Sequence, residues 1–141
     1  VTCVLVADRE LFTGSVDRSI LRWSGKGGGS REATFEGHSG AVWCLAFVPD
    51  FLLSASADMT VRMWDPFYSA AVAVFEGHEG PLSCMLVDGG VLYTGSEDAT
   101  VMLWNLEDRV SEQTLCGHGA GAMACEVRQA AGRPWPQGHR G

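Results

Sequence analysis

A Gly-His dipeptide recurs at intervals of 40 residues, and this repeat constrains the fold more than any other feature of the chain. It occurs at Gly37-His38, Gly77-His78 and Gly117-His118. Three other residue types keep steps of 41 and 40 residues: Trp23, Trp64 and Trp104; Asp17, Asp58 and Asp98; Ser15, Ser56 and Ser96. A period of this length indicates a repeated structural unit that buries its faces against copies of itself.

Residues 37–65 also contain a Ser, a His and Asp, which are the side chains of a hydrolase triad. A triad is needed once per active site and is defined by geometry rather than by residue type. Here all three residue types recur at the period of the repeat, in register with a Trp. Ser precedes Asp by two residues, Asp precedes Trp by six, and His precedes Asp by twenty. The repetition therefore favours a structural role over a catalytic one.

Each unit contains four short β-rich runs that are separated by turn residues. In the second unit the runs are 41–48, 51–57, 60–65 and 70–76. Two turn sequences, Pro49-Asp50 and Asp88-Gly89-Gly90, are typical of tight hairpin connections. The pattern predicts a four-stranded antiparallel meander in each unit.

Two segments, GHSGAVWCLAFVPDFLLSASADMTVRMWD (37–65) and GHEGPLSCMLVDGGVLYTGSEDATVMLWN (77–105), resemble WD (WD40) repeats, which build β-propellers. The resemblance covers residues 1 to about 118. It implies an all-β fold, a partial β-propeller of about three four-stranded antiparallel blades plus one strand. The expected boundaries are 1–37 for a first blade that lacks its leading Gly-His loop, 38–77 and 78–118 for two further blades, 119–127 for the first strand of an incomplete blade, and 128–141 for a disordered tail rich in Gly, Pro and Arg.

The resemblance also implies a role for the recurring polar residues. In WD propellers, Gly-His lies in the loop that enters the innermost strand, Asp in the turn between the second and third strands, and Ser and Trp in those two strands. Trp N–H, Ser hydroxyl, His ring and Asp carboxylate would form one buried chain, in which an unpaired member would be costly. The implied sets are His38, Ser56, Asp58 and Trp64; His78, Ser96, Asp98 and Trp104; and Ser15, Asp17 and Trp23, whose His would precede Val1.

Partner-binding residues are expected beside these sets, because the resemblance implies that partners bind the face carrying the Gly-His loops and Asp turns. Trp43 is either a protein-binding anchor, since Trp is enriched in binding hot spots, or a residue that packs between blades. Glu97 occupies the position of Val16 and Ala57 in the other units and is either a specificity residue or simply solvated. Weaker candidates are Ser39, Ala41, Glu79 and Pro81.

The sequence predicts neither a cofactor nor a metal site. The chain has five cysteines, with no CxxC spacing. Cys3, Cys44 and Cys84 would occupy equivalent places on successive blades, too far apart to share a zinc ion through bonds of about 2.3 Å. The stretch SGKGGGS (24–30) lacks the order of a phosphate-binding loop and predicts a flexible connector between the third and fourth strands of its blade.

Charge and hydropathy restrict the partners. The formal net charge of −7 argues against nucleic-acid and anionic-membrane binding, which require a basic face. No apolar run approaches the ~20 residues of a membrane span, and no signal-peptide pattern is present. Together with the repeat type, this predicts an intracellular protein, in the cytoplasm or nucleus.

The leading functional hypothesis is a non-catalytic scaffold that presents loops to other proteins, as a substrate receptor or an assembly platform. One alternative is a non-functional truncated product of a larger WD40 protein, because the chain begins at Val1 and three blades do not close a ring. Missing blades of a parent chain, or self-association, would then have to complete the propeller. A propeller enzyme is a weaker alternative, since the first strand of each unit carries few ionisable residues.

Overall fold

Twelve strands and no helix make up the regular structure of the computed structural model, which describes residues 1–7, 9–24 and 30–116. The strands are β1 (Cys3–Ala7), β2 (Glu10–Gly14), β3 (Ile20–Trp23), β4 (Arg31–Phe35), β5 (Val42–Val48), β6 (Phe51–Ser56), β7 (Val61–Asp65), β8 (Ala70–Phe75), β9 (Leu82–Asp88), β10 (Val91–Ser96), β11 (Thr100–Asn105) and β12 (Val110–Cys116). The described residues include no helix that is long and apolar enough to cross a membrane.

The strands form three four-stranded antiparallel sheets, so the predicted all-β fold of meandering blades is confirmed. Sheet 1 contains β1–β4, sheet 2 contains β5–β8, and sheet 3 contains β9–β12, with the strands of each sheet in chain order. The predicted strand at 119–127 and tail at 128–141 lie outside the described residues, as does the centre of the predicted connector, 25–29.

Two-residue turns set the register of the first hairpin in sheets 2 and 3. Pro49-Asp50 joins β5 to β6, with Asp50 at a φ of +73°. Gly89-Gly90 joins β9 to β10, with φ values of +57° and +79°. Positive φ at both central residues gives a turn whose twist matches that of the flanking strands, which explains the paired glycines.

Sheet 2 is packed on both faces, because successive residues of a strand point to opposite sides of the sheet. Leu52 faces sheet 1 and Leu53 faces sheet 3, and both are fully buried. The core between sheets 1 and 2 contains Phe12, Ile20, Phe35, Val42, Leu52 and Trp64. The core between sheets 2 and 3 contains Leu53, Ala55, Val61, Met63, Phe75, Leu82, Leu92, Met102 and Trp104.

The meander gives the three sheets two common edges. One edge carries the turns between second and third strands and the loops that lead from one sheet to the next; it is called the Gly-His edge below, after Gly37-His38 and Gly77-His78. The opposite edge, called the hairpin edge, carries the β5–β6, β7–β8, β9–β10 and β11–β12 turns. The first strands of the sheets are neighbours, since β5 contacts both β1 and β9.

Candidate functional site

A buried chain of hydrogen bonds supports the Gly-His edge of sheet 2. The indole Nε1 of Trp64 donates to Ser54 Oγ (2.8 Å), and Ser54 Oγ lies 2.6 Å from His38 Nε2. His38 Nδ1 lies 2.7 Å from Asp58 Oδ2. Trp64, Ser54 and His38 are buried, at 1 %, 0 % and 7 % exposure. The chain therefore joins two strands, the turn between them and the loop that enters β5.

The chemistry of the two end groups fixes the direction of this chain. An indole N–H only donates, so the Ser54 oxygen accepts from Trp64 and its hydroxyl hydrogen is available for His38 Nε2. An ionised carboxylate only accepts, so His38 donates to Asp58 through its Nδ1–H. The network is fully satisfied when His38 is neutral and carries its proton on Nδ1.

The same chain of hydrogen bonds occurs in sheet 3, and part of it occurs in sheet 1. In sheet 3 the contacts are Trp104 Nε1 to Thr94 Oγ1 (2.9 Å), Thr94 Oγ1 to His78 Nε2 (2.6 Å) and His78 Nδ1 to Asp98 Oδ2 (2.9 Å). In sheet 1, Trp23 Nε1 donates to Thr13 Oγ1 at 2.9 Å.

The position predicted for the hydroxyl in each hydrogen-bond chain is wrong by two residues. The WD-repeat resemblance implies Ser15, Ser56 and Ser96 for this hydroxyl, whereas the structure uses Thr13, Ser54 and Thr94. The register explains the difference: Trp64 is opposite Leu52, and Ser54 is the next residue along β6 on the same face. Ser56 lies a further two residues away, beyond reach of the indole. The signal was present, because hydroxyl residues also recur at 13, 54 and 94.

The serines at 56 and 96 instead hold the loop of the Gly-His edge against the Asp turn. Ser56 Oγ donates to Gly40 O (3.0 Å) and accepts from the Asp58 N–H (3.1 Å). Ser96 Oγ makes the equivalent contacts with Gly80 O and the Asp98 N–H, at 3.0 and 3.1 Å. Their recurrence is therefore structural, but it serves the turn rather than the buried chain.

Each Asp turn is built around a carboxylate that accepts several hydrogen bonds. Asp58 accepts from the Thr60 N–H (2.9 Å), the Thr60 hydroxyl (2.6 Å) and the Ser39 N–H (3.1 Å), in addition to His38. Burial alone would raise the pKa of Asp58, but these hydrogen bonds outweigh it and lower the pKa. The same balance lowers the pKa of Asp98, whose donors include Thr100 and the Glu79 N–H.

The effect of burial on the pKa of His38 has the opposite sign and is the larger one. Burial lowers its pKa below the ordinary value of 6.5, and this effect outweighs the contribution of Asp58, which raises it. The lowered pKa favours the neutral ring that the hydrogen-bond chain requires. In sheet 1, Asp17 lies in an exposed turn, where hydrogen bonds from the Ser19 hydroxyl and N–H lower its pKa.

The candidate partner-binding residues lie on loops that these networks fix in place. The N–H groups of Ser39 and Glu79 donate to Asp58 and Asp98, and both residues are exposed. Ala41 O accepts from the Ala57 N–H at 2.8 Å, and Pro81 O accepts from the Glu97 N–H at 2.9 Å. The loops therefore present side chains from a backbone that is held at several points.

Trp43 and Glu97 are exposed on this edge. Trp43 follows Val42 at a β-bulge in β5, and the residue is 43 % exposed. The bulge is also held from sheet 1, where the Thr2 hydroxyl donates to Val42 O. Met59 in the neighbouring Asp turn is 43 % exposed as well. Sequence reasoning missed Met59, and its place directly after a recurring Asp was the available signal.

The Cys44 thiol lies in the middle of the row of cysteines on the first strands. Burial raises the pKa of Cys44 to about 11, with smaller contributions from Cys3 and Cys84, so the thiol stays protonated at neutral pH. Cys44 Sγ lies 3.6 Å from Ser83 O on the neighbouring first strand. Within residues 1–7, 9–24 and 30–116, no group of three or more His, Cys, Asp or Glu side chains is placed to hold a metal ion.

Comparison with protein-family models matches residues 29–65 and 69–105 to the WD40 family, described as WD domain, G-beta repeat. The chain belongs to the WD40 repeat family. The two matched segments contain β4, all four strands of sheet 2 and three of the four strands of sheet 3, and they include both complete hydrogen-bond chains.

This chain is similar to parts of several longer proteins. Eukaryotic translation initiation factor 3 subunit I of Drosophila willistoni is 38 % identical over 65 residues, which are 45 % of this chain and 20 % of that protein. The solved structure of U3-55K has a TM-score of 0.80 at 27 % identity, over 87 % of this chain and 41 % of that one. The RRP9 WD40 repeats match with a TM-score of 0.80 at 28 % identity, over 87 % of this chain and 40 % of that one. The chain thus spans about a fifth of the length of the curated relative.

Proposed function

We propose that this WD40 chain is a non-catalytic protein-interaction scaffold that binds protein partners through its Gly-His edge. The observation that carries the proposal is Trp43, a large aromatic side chain that is 43 % exposed although its backbone is fixed in a strand. A rigid aromatic side chain offers contact area at a low cost in conformational entropy, which is why Trp is enriched in binding hot spots.

Glu97 and Met59 extend this contact surface. Met59 and Glu97 belong to the Asp turns of sheets 2 and 3, next to Asp58 and Asp98. We include Ser39, Ala41, Glu79 and Pro81 as supporting contacts, because their loops are hydrogen bonded to the two Asp turns. An exposed apolar pair beside exposed carboxylates fits an interface with an apolar centre and a polar rim.

Within the scaffold role we propose an assembly platform rather than a substrate receptor. The matched Drosophila relative is by its name a subunit of a multi-protein initiation factor, which supports a role in holding proteins together. The same similarity supports an intracellular location. The net charge of −7 supports protein rather than nucleic-acid partners.

The test is affinity capture on the 141-residue chain followed by identification of the retained proteins by mass spectrometry. We expect a reproducible set of proteins that is lost with a Trp43→Ala, Glu97→Lys double variant. The matched control is Tyr68→Ala on the hairpin edge, where the side chain is 83 % exposed. Retention of the same proteins by the double variant would contradict the proposed binding edge.

A further inference from the structure

An apolar groove opens at the hairpin edge, between sheets 2 and 3, on the opposite side of the blades from Trp43. Its volume is about 480 Å³. The apolar part of its lining consists of Phe47, Val48, Pro49, Phe51, Met63, Val87 and Leu106. Both the volume and the mainly apolar lining are typical of sites that bind ligands.

Hydrogen bonds between the turns hold the groove in shape. The Leu106 N–H donates to Gly90 O at 3.1 Å, which fixes the β11–β12 turn on the β9–β10 turn. Arg109 Nη1 donates to Val72 O at 3.4 Å, so this side chain reaches from sheet 3 to sheet 2. On the β9–β10 side the lining residues are Gly89 and Gly90, and a Cβ built on either would meet no atom within 4 Å. The groove is therefore open to solvent there.

The equivalent junction between sheets 1 and 2 is bridged by a polar side chain. Arg22 directly precedes the Trp of its blade, and its Nη1 donates to Pro66 O of sheet 2 at 3.0 Å. Glu10 holds this arginine through a contact of 3.2 Å to Nε. In sheet 2 the positions of Arg22 and Glu10 are occupied by Met63 and Phe51, which provide no such bridge. The junction between sheets 2 and 3 therefore has an apolar groove where the junction between sheets 1 and 2 has a polar bridge.

The rim of the groove carries more negative than positive charge. Asp88 and Glu107 line it, with Arg109 as the cation among the lining residues that the structure describes. Exposed Asp50 and Asp108 directly follow Pro49 and Glu107 in the chain. Arg109 donates to Val72 O, and the exposed carboxylates of Asp50, Glu107 and Asp108 leave the rim with an excess of negative charge.

We propose that this groove binds an apolar side chain of a partner peptide that carries Lys or Arg on either side of it. The apolar walls bury the central side chain, and the carboxylates of the rim pair with the flanking cations. This second contact surface lies at the edge opposite the proposed Gly-His binding edge and does not depend on Trp43 or Glu97.

The test uses three blocked peptides and amide NMR spectra of the 141-residue chain: acetyl-Lys-Phe-Phe-Lys-amide, acetyl-Glu-Phe-Phe-Glu-amide and acetyl-Lys-Ser-Ser-Lys-amide. We expect the Lys–Phe peptide to shift amide signals of the groove, with a Kd about threefold to tenfold lower than that of the acidic peptide, as exposed ion pairs at the rim would give. Its Kd should also be lower than that of the serine peptide, which has no apolar side chain to bury. Equal binding of the acidic peptide, equal binding of the serine peptide, or no shift at the groove with any peptide would overturn the proposal.

A charge reversal separates the groove from general electrostatic attraction. In Glu107→Lys the exposed side chain changes, while the backbone bond from the residue 107 N–H to Asn105 Oδ1 (2.8 Å) can remain. The matched control is Glu76→Lys, which makes the same change in net charge at the Gly-His edge. We expect Glu107→Lys to weaken binding of the Lys–Phe peptide at least threefold and Glu76→Lys to leave it unchanged. An equal loss in both variants would assign the attraction to net charge and overturn the proposal.

Discussion

At the scale of single residues, the buried chain Trp64–Ser54–His38–Asp58 holds the Gly-His edge together. The two inner members, Ser54 and His38, each have a partner on either side, so removal of the Ser54 hydroxyl leaves two buried groups unsatisfied. The serine at 56 is also buried but bonds to the loop backbone instead. Substitutions at these two serines therefore have different consequences.

We expect Ser54→Ala to lower the free energy of unfolding by about 1–3 kcal/mol, because the Trp64 N–H and His38 Nε2 lose their partner. The matched control is Ser54→Thr, which keeps the hydroxyl and introduces the residue that sheet 3 uses at Thr94. Urea unfolding of both variants measures the difference. Equal stabilities of the alanine and threonine variants would show that the hydroxyl contributes nothing.

Acid should destabilise the fold in two steps. The pKa of His38 is lowered, so below its ordinary value of 6.5 the unfolded chain takes up a proton that the folded chain does not. The pKa values of Asp58 and Asp98 are also lowered, so the unfolded chain again binds protons first below their ordinary value of 3.8. Thermal unfolding followed by circular dichroism should show Tm falling from pH 6.5 downward. His38→Gln should remove part of the fall in Tm below pH 6.5. A wild-type Tm that stays constant from pH 7 to pH 5 would contradict this account.

The sequence was sufficient to predict which residue types form the chain, but not which hydroxyl takes part. The resemblance to WD repeats implies that Asp58, His38 and Trp64 belong to one chain, and the structure brings them together. The choice between Ser54 and Ser56 depends on cross-strand register, since the residue opposite Trp64 is Leu52. That register follows from the turn and from packing on both faces of the sheet, neither of which a repeat period specifies.

At the scale of strands and turns, the short hairpin connections determine the register of each blade. Pro49-Asp50 and Gly89-Gly90 place residues at positive φ in turns of equal length. These turns were predictable because Gly, Asn and Asp are the residues that tolerate such angles. The groove beside them was not predictable, because it depends on what the side chain before the Trp of a blade does at the next sheet. Arg22 bridges the junction between sheets 1 and 2, whereas Met63 lines an open groove between sheets 2 and 3.

We expect Gly90→Val to lower the free energy of unfolding by about 1–2 kcal/mol, because a β-branched residue is strained at a φ of +79°. No atom lies near the position of the new Cβ, so the cost comes from the backbone rather than from a clash. Gly90→Asp is the matched control, since Asp50 already occupies the equivalent position in sheet 2 at +73°. Urea unfolding decides: a valine variant as stable as the aspartate variant would exclude backbone strain as the determinant.

At the scale of the whole molecule, the two cores are separate layers on either side of sheet 2. Leu52 and Leu53 are adjacent in sequence, both fully buried, and belong to different cores. In repeat architectures each unit is stabilised mainly by its nearest neighbours. A defect in one core should therefore weaken one junction more than the other.

We expect Leu52→Ala and Leu53→Ala each to cost about 2–5 kcal/mol, as is usual for a large-to-small change in a core. Amide hydrogen exchange should locate the effects, with Leu52→Ala increasing exchange mainly in sheets 1 and 2. Leu53→Ala should increase it mainly in sheets 2 and 3. Identical exchange patterns in both variants would mean that the three sheets open as one unit.

The environments of the tryptophans give the molecule two intrinsic fluorescence signals. Trp64 and Trp104 are 1 % and 3 % exposed and hydrogen bonded inside the blades, so they should emit at shorter wavelength and resist quenching by acrylamide. Trp43, 43 % exposed, should emit at longer wavelength and be quenched readily. In a Trp23→Phe, Trp135→Phe background, which keeps Trp43, Trp64 and Trp104, the red side of the spectrum would follow partner binding and the blue side would follow blade opening. Docking and unfolding could then be measured in one unlabelled sample.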